Sequence, residues 1–132
     1  MTEVIELEQV LNAMGDVVME AGADFVYKKR EDANGRACFY VWDDKPDCLI
    51  GRVLAKLGFT INNLKALRLT AISTACGRIH ESLYGKFTND AVRAMDNAQT
   101  AQDSSVNWGT CYAIARGYDN VNSALVRHLR FK

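Results

Sequence analysis

A chain of 132 residues that is 48% apolar and 24% charged, with one proline and zero net charge, has the composition of an ordinary globular domain. It is long enough to bury a core without disulfide or metal staples, which sets it apart from disordered and disulfide-framework classes. The opening MTEVIELEQV carries acids where a secretory leader needs bases. No apolar run approaches the roughly 18 residues of a membrane span, so a cytoplasmic location is expected.

Four cysteines at positions 38, 48, 76 and 111 form no C-x-x-C pair, and two histidines are present. Reduced, mostly buried thiols are expected, and neither a metal nor another cofactor is implied. The zero net charge hides an uneven layout. Residues 1–27 hold six acids and no base, whereas no acid lies between Asp47 and Glu81, where Arg52, Lys56, Lys65, Arg68 and Arg78 fall. Arg127, Arg130 and Lys132 make the C-terminal end basic. An acidic element and two basic ones either pair within the chain or offer themselves to a partner.

In chain order, Val4, Leu7, Leu11, Met14, Val18 and Ala21 recur at three- and four-residue spacing and predict a helix over 4–21, stopped by Gly22. Gly15 inside it costs about 1 kcal/mol relative to alanine. The aromatic and β-branched runs at 24–29 and 36–42, separated by a segment containing Asn34 and Gly35, predict a β-hairpin over 24–42. Phe25, Tyr27, Phe39 and Val41 are its candidate buried face. After Pro46 a helix over about 47–57 is expected with Asp47 as N-cap and Gly58 as stop, then a short helix over about 61–68 capped by Thr60.

The mixed segment 69–86 reads as a helical turn or short helix. Thr88 caps a helix over 89–103 whose small residues imply close approach of a neighbour, and Trp108, Cys111, Tyr112 and Ala115 set a further helix over about 107–116. The tail from Ser123 reads as one basic amphipathic turn or a frayed end. These elements make a single α+β domain: one β-hairpin packed on a small bundle of about five helices.

Three groups of residues carry candidate chemistry. Cys48 at a helix N-terminus is a weak candidate for a reactive thiol, opposed by the adjacent Asp47 and by the tendency of cysteine to serve as a small buried hydrophobe. Residues 49–68 have the outline of a helix-turn-helix, with Asn62, Asn63, Lys65 and Arg68 of types that suit phosphate and base-edge contacts. Gln99, Gln102, Asp103 and Trp108 can line a polar pocket with an aromatic wall, although tryptophan at helical spacing is more often core. The acids Asp43, Asp44 and Asp47 could offer oxygen ligands to a divalent cation, but their spacing fits no EF-hand loop and turn chemistry explains them equally well. No phosphate-binding glycine loop, nucleophile elbow or H-E-x-x-H is present, which leaves enzymes built on those parts without support.

Tyr27, Cys38 and Tyr40, then Pro46, Cys48, Leu49, Gly51, Val53, Leu54, Leu57 and Gly58, then Phe87 and Thr88, the run AQTAQD at 98–103, and Trp108 with Gly109 form a spaced signature. It resembles that of small uncharacterised proteins of actinobacteria and their phages, over residues 27–110. The resemblance implies a cytoplasmic protein, phage-encoded, acting inside a bacterium; it carries no activity or site residue. The reading favoured by the sequence is a binding protein without catalysis that contacts a host macromolecule, a protein above all. A DNA-binding regulator using 49–68 is the alternative, and a small-ligand binder or thiol-dependent enzyme using Cys48 the second. The heptad-like spacing of the first helix also suits a homodimer.

Overall fold

The structure is a computed structural model that describes residues 4–28, 30–32, 35–37, 40–70 and 81–131. Among these lie six α-helices, α1 (Leu7–Ala21), α2 (Leu49–Lys56), α3 (Ile61–Thr70), α4 (Asn89–Asp103), α5 (Trp108–Arg116) and α6 (Val121–Phe131), and one 3-10 helix, Glu81–Lys86. Strands β1 (Arg30–Asp32) and β2 (Gly35–Ala37) form an antiparallel hairpin in the register Arg30↔Ala37, Glu31↔Arg36, Asp32↔Gly35. Strands β3 (Val41–Trp42) and β4 (Lys45–Pro46) make a second, two-residue ladder. The class is α+β, a hairpin on a small helical bundle.

The bundle is organised by α1, which contacts α2, α4, α5 and α6, while α4 packs on α5 and α5 on α6. Val10, Leu11, Met14, Val17 and Val18 of α1 are buried, as the apolar stripe requires. The helix begins at Leu7 rather than at residue 4 because Ile5 is used elsewhere. Its N–H donates to Lys86 O at 2.9 Å and its carbonyl accepts from Thr88 N–H at 3.0 Å, a parallel bridge to Phe87. Gly22 ends α1 at φ 100°, a left-handed backbone that suits glycine.

The largest departure from expectation is at 24–29. Phe25–Lys28 belong to no strand. The carbonyls that would enter a ladder are taken by the first turn of α5: Trp108 N–H donates to Phe25 O and Gly109 N–H to Ala23 O, each at 2.8 Å. These bonds satisfy two of the orphan donors at a helix N-terminus. Gly109 makes the approach feasible, since a Cβ there would lie 2.8 Å from Ala23 Cβ. Of the expected buried face, Tyr27 and Val41 are buried and Phe25 is 37% exposed.

Between β3 and β4, Asp43 and Asp44 both have positive φ, 54° and 59°, the backbone of a two-residue type I′ turn, which aspartate tolerates. The cap of α2 is Cys48, not Asp47: Gly51 N–H donates to Cys48 Sγ at 3.4 Å. Asp47 is unavailable because its buried carboxylate accepts from Tyr27 Oη at 2.5 Å. At the other end of α2, Phe59 N–H donates to Leu54 O and Gly58 N–H to Ala55 O, with Gly58 at φ 103°; this is a Schellman stop.

Thr88 caps α4 through Ala91 N–H and Asn107 caps α5 through Thr110 N–H. The tail, read from sequence as one turn or frayed, is an eleven-residue helix in which Asn120 Oδ1 accepts from Ser123 N–H at 2.8 Å. Phe39, Cys38, Cys76, Arg78, His80, Asn34, Lys132 and segment 71–80, together with the side chain of Arg68, lie outside the described residues. No described helix is long and apolar enough to cross a membrane.

Candidate functional site

Cys48, Gln99, Gln102 and Trp108 are all buried; Cys48 and the two glutamines meet at the start of α2, whereas Trp108 packs on Phe25 and Arg52. The Gln99 amide donates to Cys48 Sγ at 3.7 Å, and Gln102 Oε1 accepts from Leu49 N–H at 2.8 Å. The two glutamines are one turn apart on α4, facing α2. Gln102 therefore satisfies an N–H of the first turn of α2, where such groups lack intrahelical partners, and Gln99 donates to the sulfur that caps that turn. Gln102 Nε2 goes on to Asp103 Oδ1 at 2.9 Å. Activated nucleophiles need a base within reach. The contacts described here for Cys48 Sγ are two N–H donors, neither of which is a base.

Trp108 meets Phe25 edge to face at 4.5 Å between ring centroids, and the Arg52 guanidinium lies 5.0 Å from the Trp108 ring. Arg52 Nε also donates to Asp47 O at 3.3 Å. Trp108 Nε1 has no acceptor among the described residues. The edge-to-face contact ties the segment after α1 to α5, and the cation–π contact ties α2 to α5. Arg52, which contributed to the basic stretch in the sequence, is thus directed at the molecule's own aromatic pair.

On α3, Asn62, Asn63 and Lys65 are exposed while Leu64 is buried. Asn63 closes a reciprocal cap with Thr60: Thr60 N–H donates to Asn63 Oδ1 at 3.0 Å and Asn63 N–H to Thr60 Oγ1 at 3.1 Å. Lys65 pairs with Asp44 of the β3–β4 turn. An exposed pair of this kind is worth at most about 1 kcal/mol and leaves the lysine reachable. The helix packs on β3.

The acids of α1 answer the charge layout. Glu20 pairs with Lys56 of α2. Glu8 lies 3.6 Å from Arg116 and 3.7 Å from Arg127, and Asp16 lies 3.0 Å from His128 Nε2. The Arg116 side chain is only 4% exposed; it donates to Tyr112 Oη at 2.5 Å and to Asn12 Oδ1 at 3.4 Å. His128 is buried over Gly15, where a Cβ would fall 2.4 Å from its Nδ1. This explains the glycine inside α1: the loss of helix propensity admits an imidazole from α6. Burial raises the Tyr112 phenol above its ordinary value, opposed by the Arg116 hydrogen bond. Burial likewise pushes the Cys111 thiol up to about 12, with its backbone hydrogen bond lowering it and the charge of Asp103 raising it. Both groups are held protonated.

The outer face of α6 is different. Val126 and Leu129 are 54% and 60% exposed, the largest values among the exposed large hydrophobic side chains, and Asn122 and Arg130 share their side of the helix. Beside them Tyr118, Asn122, Ser123, Val126, Arg127 and Arg130 line an open groove of about 390 Å³. From the sequence this end reads as a basic amphipathic turn or a frayed end, without an exposed apolar strip or a groove. The spacing 122, 126, 129 and 130 carried the signal, but the inward face of α6 is broken by His128, which hid the helix. No group of three metal-ligating side chains occurs among the described residues. No protein-family model matches the chain, and neither a curated protein nor a solved structure matches it.

Proposed function

We propose that the protein is a small cytoplasmic binding protein that contacts a host protein in a bacterium and performs no catalysis. The observation that carries this reading is the contrast between interior and surface. Cys48, Gln99, Gln102 and Trp108 are buried in the service of helix packing, while two large aliphatic side chains stand exposed beside arginine on α6. Exposed apolar groups rimmed by polar ones are a feature of interaction surfaces. A phage origin rests on the spaced signature described above.

The test is a pull-down of tagged protein from bacterial lysate at moderate salt, with and without nuclease. A stoichiometric protein retained in both conditions is the expected result; retention that nuclease abolishes would overturn it. A DNA-binding regulator is the second reading, favoured by the exposure of Asn62 and Lys65 on the first turns of α3 after a glycine turn. It requires salt-dependent DNA affinity that Lys65→Ala and Arg68→Ala reduce.

A further inference from the structure

We propose that the outer face of α6 is the docking surface of this binding protein, and that its occupant is an acidic amphipathic segment of another protein. The inference rests on the binding-protein reading and adds the site and the partner's chemistry. Three observations define the occupant. Val126 and Leu129, three residues apart, offer an apolar strip that is more than half exposed, so the occupant brings aliphatic or aromatic side chains at matching spacing. Arg127 and Arg130 line the adjoining groove without any acid among its lining residues, and Val121–Phe131 contains no acid at all. Of the carboxylates around α6, Glu8 already lies 3.7 Å from Arg127 and Asp16 3.0 Å from His128, while Asp119 precedes the helix in sequence. Arg130 therefore presents a charge that a partner carboxylate can meet in paired geometry.

The same charges argue against two other occupants. A second copy placing its own α6 against this one would oppose arginine to arginine with no carboxylate from either helix. A nucleic acid would meet the arginines but would cover Val126 and Leu129 with phosphate and sugar, leaving the apolar strip without a match. His128 and Ala124, on the opposite side of α6, are buried against the bundle, so the helix is a fixed platform.

The test is selection of a random dodecamer peptide library on the immobilised full chain, followed by affinity measurement on the enriched peptides made synthetically. Enriched sequences are expected to combine Asp or Glu with Leu, Ile, Phe or Trp, to bind more weakly as salt rises, and to lose at least tenfold in affinity to Arg130→Glu and to Val126→Asp. Circular dichroism checks that each variant is folded, and the milder Arg130→Ala and Val126→Ala serve if either is not. No enrichment, enriched peptides lacking acids, or affinity unchanged in folded variants would overturn the proposal. So would a concentration-dependent dimer that the same substitutions dissociate, or a labelled oligonucleotide that competes for the site. The pull-down separates the two levels: a nuclease-resistant partner kept by wild type and by Arg130→Glu/Val126→Asp removes the α6 site and leaves the binding-protein reading standing. A wild-type column that retains nothing removes the reading itself.

Discussion

Helices α3 and α6 both display basic residues to solvent, and they differ in what surrounds the charge. On α3 Asn63 is held in a reciprocal cap with Thr60 and Lys65 stands beside Asp44, Asn62 is exposed, and the apolar Leu64 faces inward. On α6 an arginine without a described acidic partner stands next to Val126 and Leu129, which face outward. A run of charge in a sequence therefore indicates exposure but not availability. Availability depends on which neighbours the fold brings to the charge. The same holds for α1, whose acids meet Lys56, Arg116, Arg127 and His128 from three other helices.

The comparison can be broken at Gly15, which seats α6, and a still larger loss is expected at Gly51, where α2 meets Tyr40. Gly51→Ala puts a Cβ 2.3 Å from the backbone oxygen of Tyr40. Backbone cannot step aside as a side chain can, so a loss of about 3 kcal/mol is expected by urea denaturation despite a gain of about 1 kcal/mol in helix propensity. Gly15→Ala drives a Cβ into the His128 ring and is expected to cost about 2 kcal/mol. Adding His128→Ala should return part of that loss, because the two changes share one contact.

Binding sharpens the comparison next. Arg130→Glu with Val126→Asp is expected to weaken partner binding by at least tenfold, about 1.4 kcal/mol, whereas Asn62→Ala and Lys65→Ala leave it within twofold. Alkaline pH adds a slower effect. Cys111 and Tyr112 have raised values when folded, so their contribution to stability is complete below the unfolded values. It is lost as pH rises from the ordinary thiol value of 9.0 towards about 12. Stability should thus be flat with respect to these two groups between pH 6 and 8 and fall above 9 in denaturation curves. The smallest effect belongs to Lys65→Ala, which removes an exposed ion pair and should change stability by less than about 0.5 kcal/mol.

How much of this was legible in the sequence varied with how local the cause was. Helix α4 matches its expected bounds, 89–103, because Thr88 caps it and its small residues repeat at helical spacing. Gly22 and Gly58 follow helices where expected, and Gly117 follows α5, each at positive φ. The hairpin was recognised as a type but placed partly on 24–29, where aromatic and β-branched residues suggest a strand. β propensity reports packing against neighbours more than backbone preference. Here Phe25 finds Trp108, and the Ala23 and Phe25 carbonyls find the N-terminus of α5, more than 80 residues later in the chain.

The cap at Asp47 failed for a similar reason, since Tyr27 claims the carboxylate. Helix α6 is longer than the sequence suggests because a buried histidine interrupts its apolar stripe, and Asp16 and Gly15 of α1, with Tyr112 of α5, accommodate that histidine. The sequence offers Cys48 as a weak thiol candidate and, separately, Gln99, Gln102 and Trp108 as a pocket lining. Their burial, which depends on α2 and α4 facing each other, was not legible there.

The most direct test of the central claim is site-specific photocrosslinking in bacterial cells, with a benzophenone side chain placed at position 126 in one variant and at position 62 in another. A discrete protein adduct from position 126 and none from position 62 is the predicted result. An adduct from position 62 alone would move the contact surface to α3 and contradict the account.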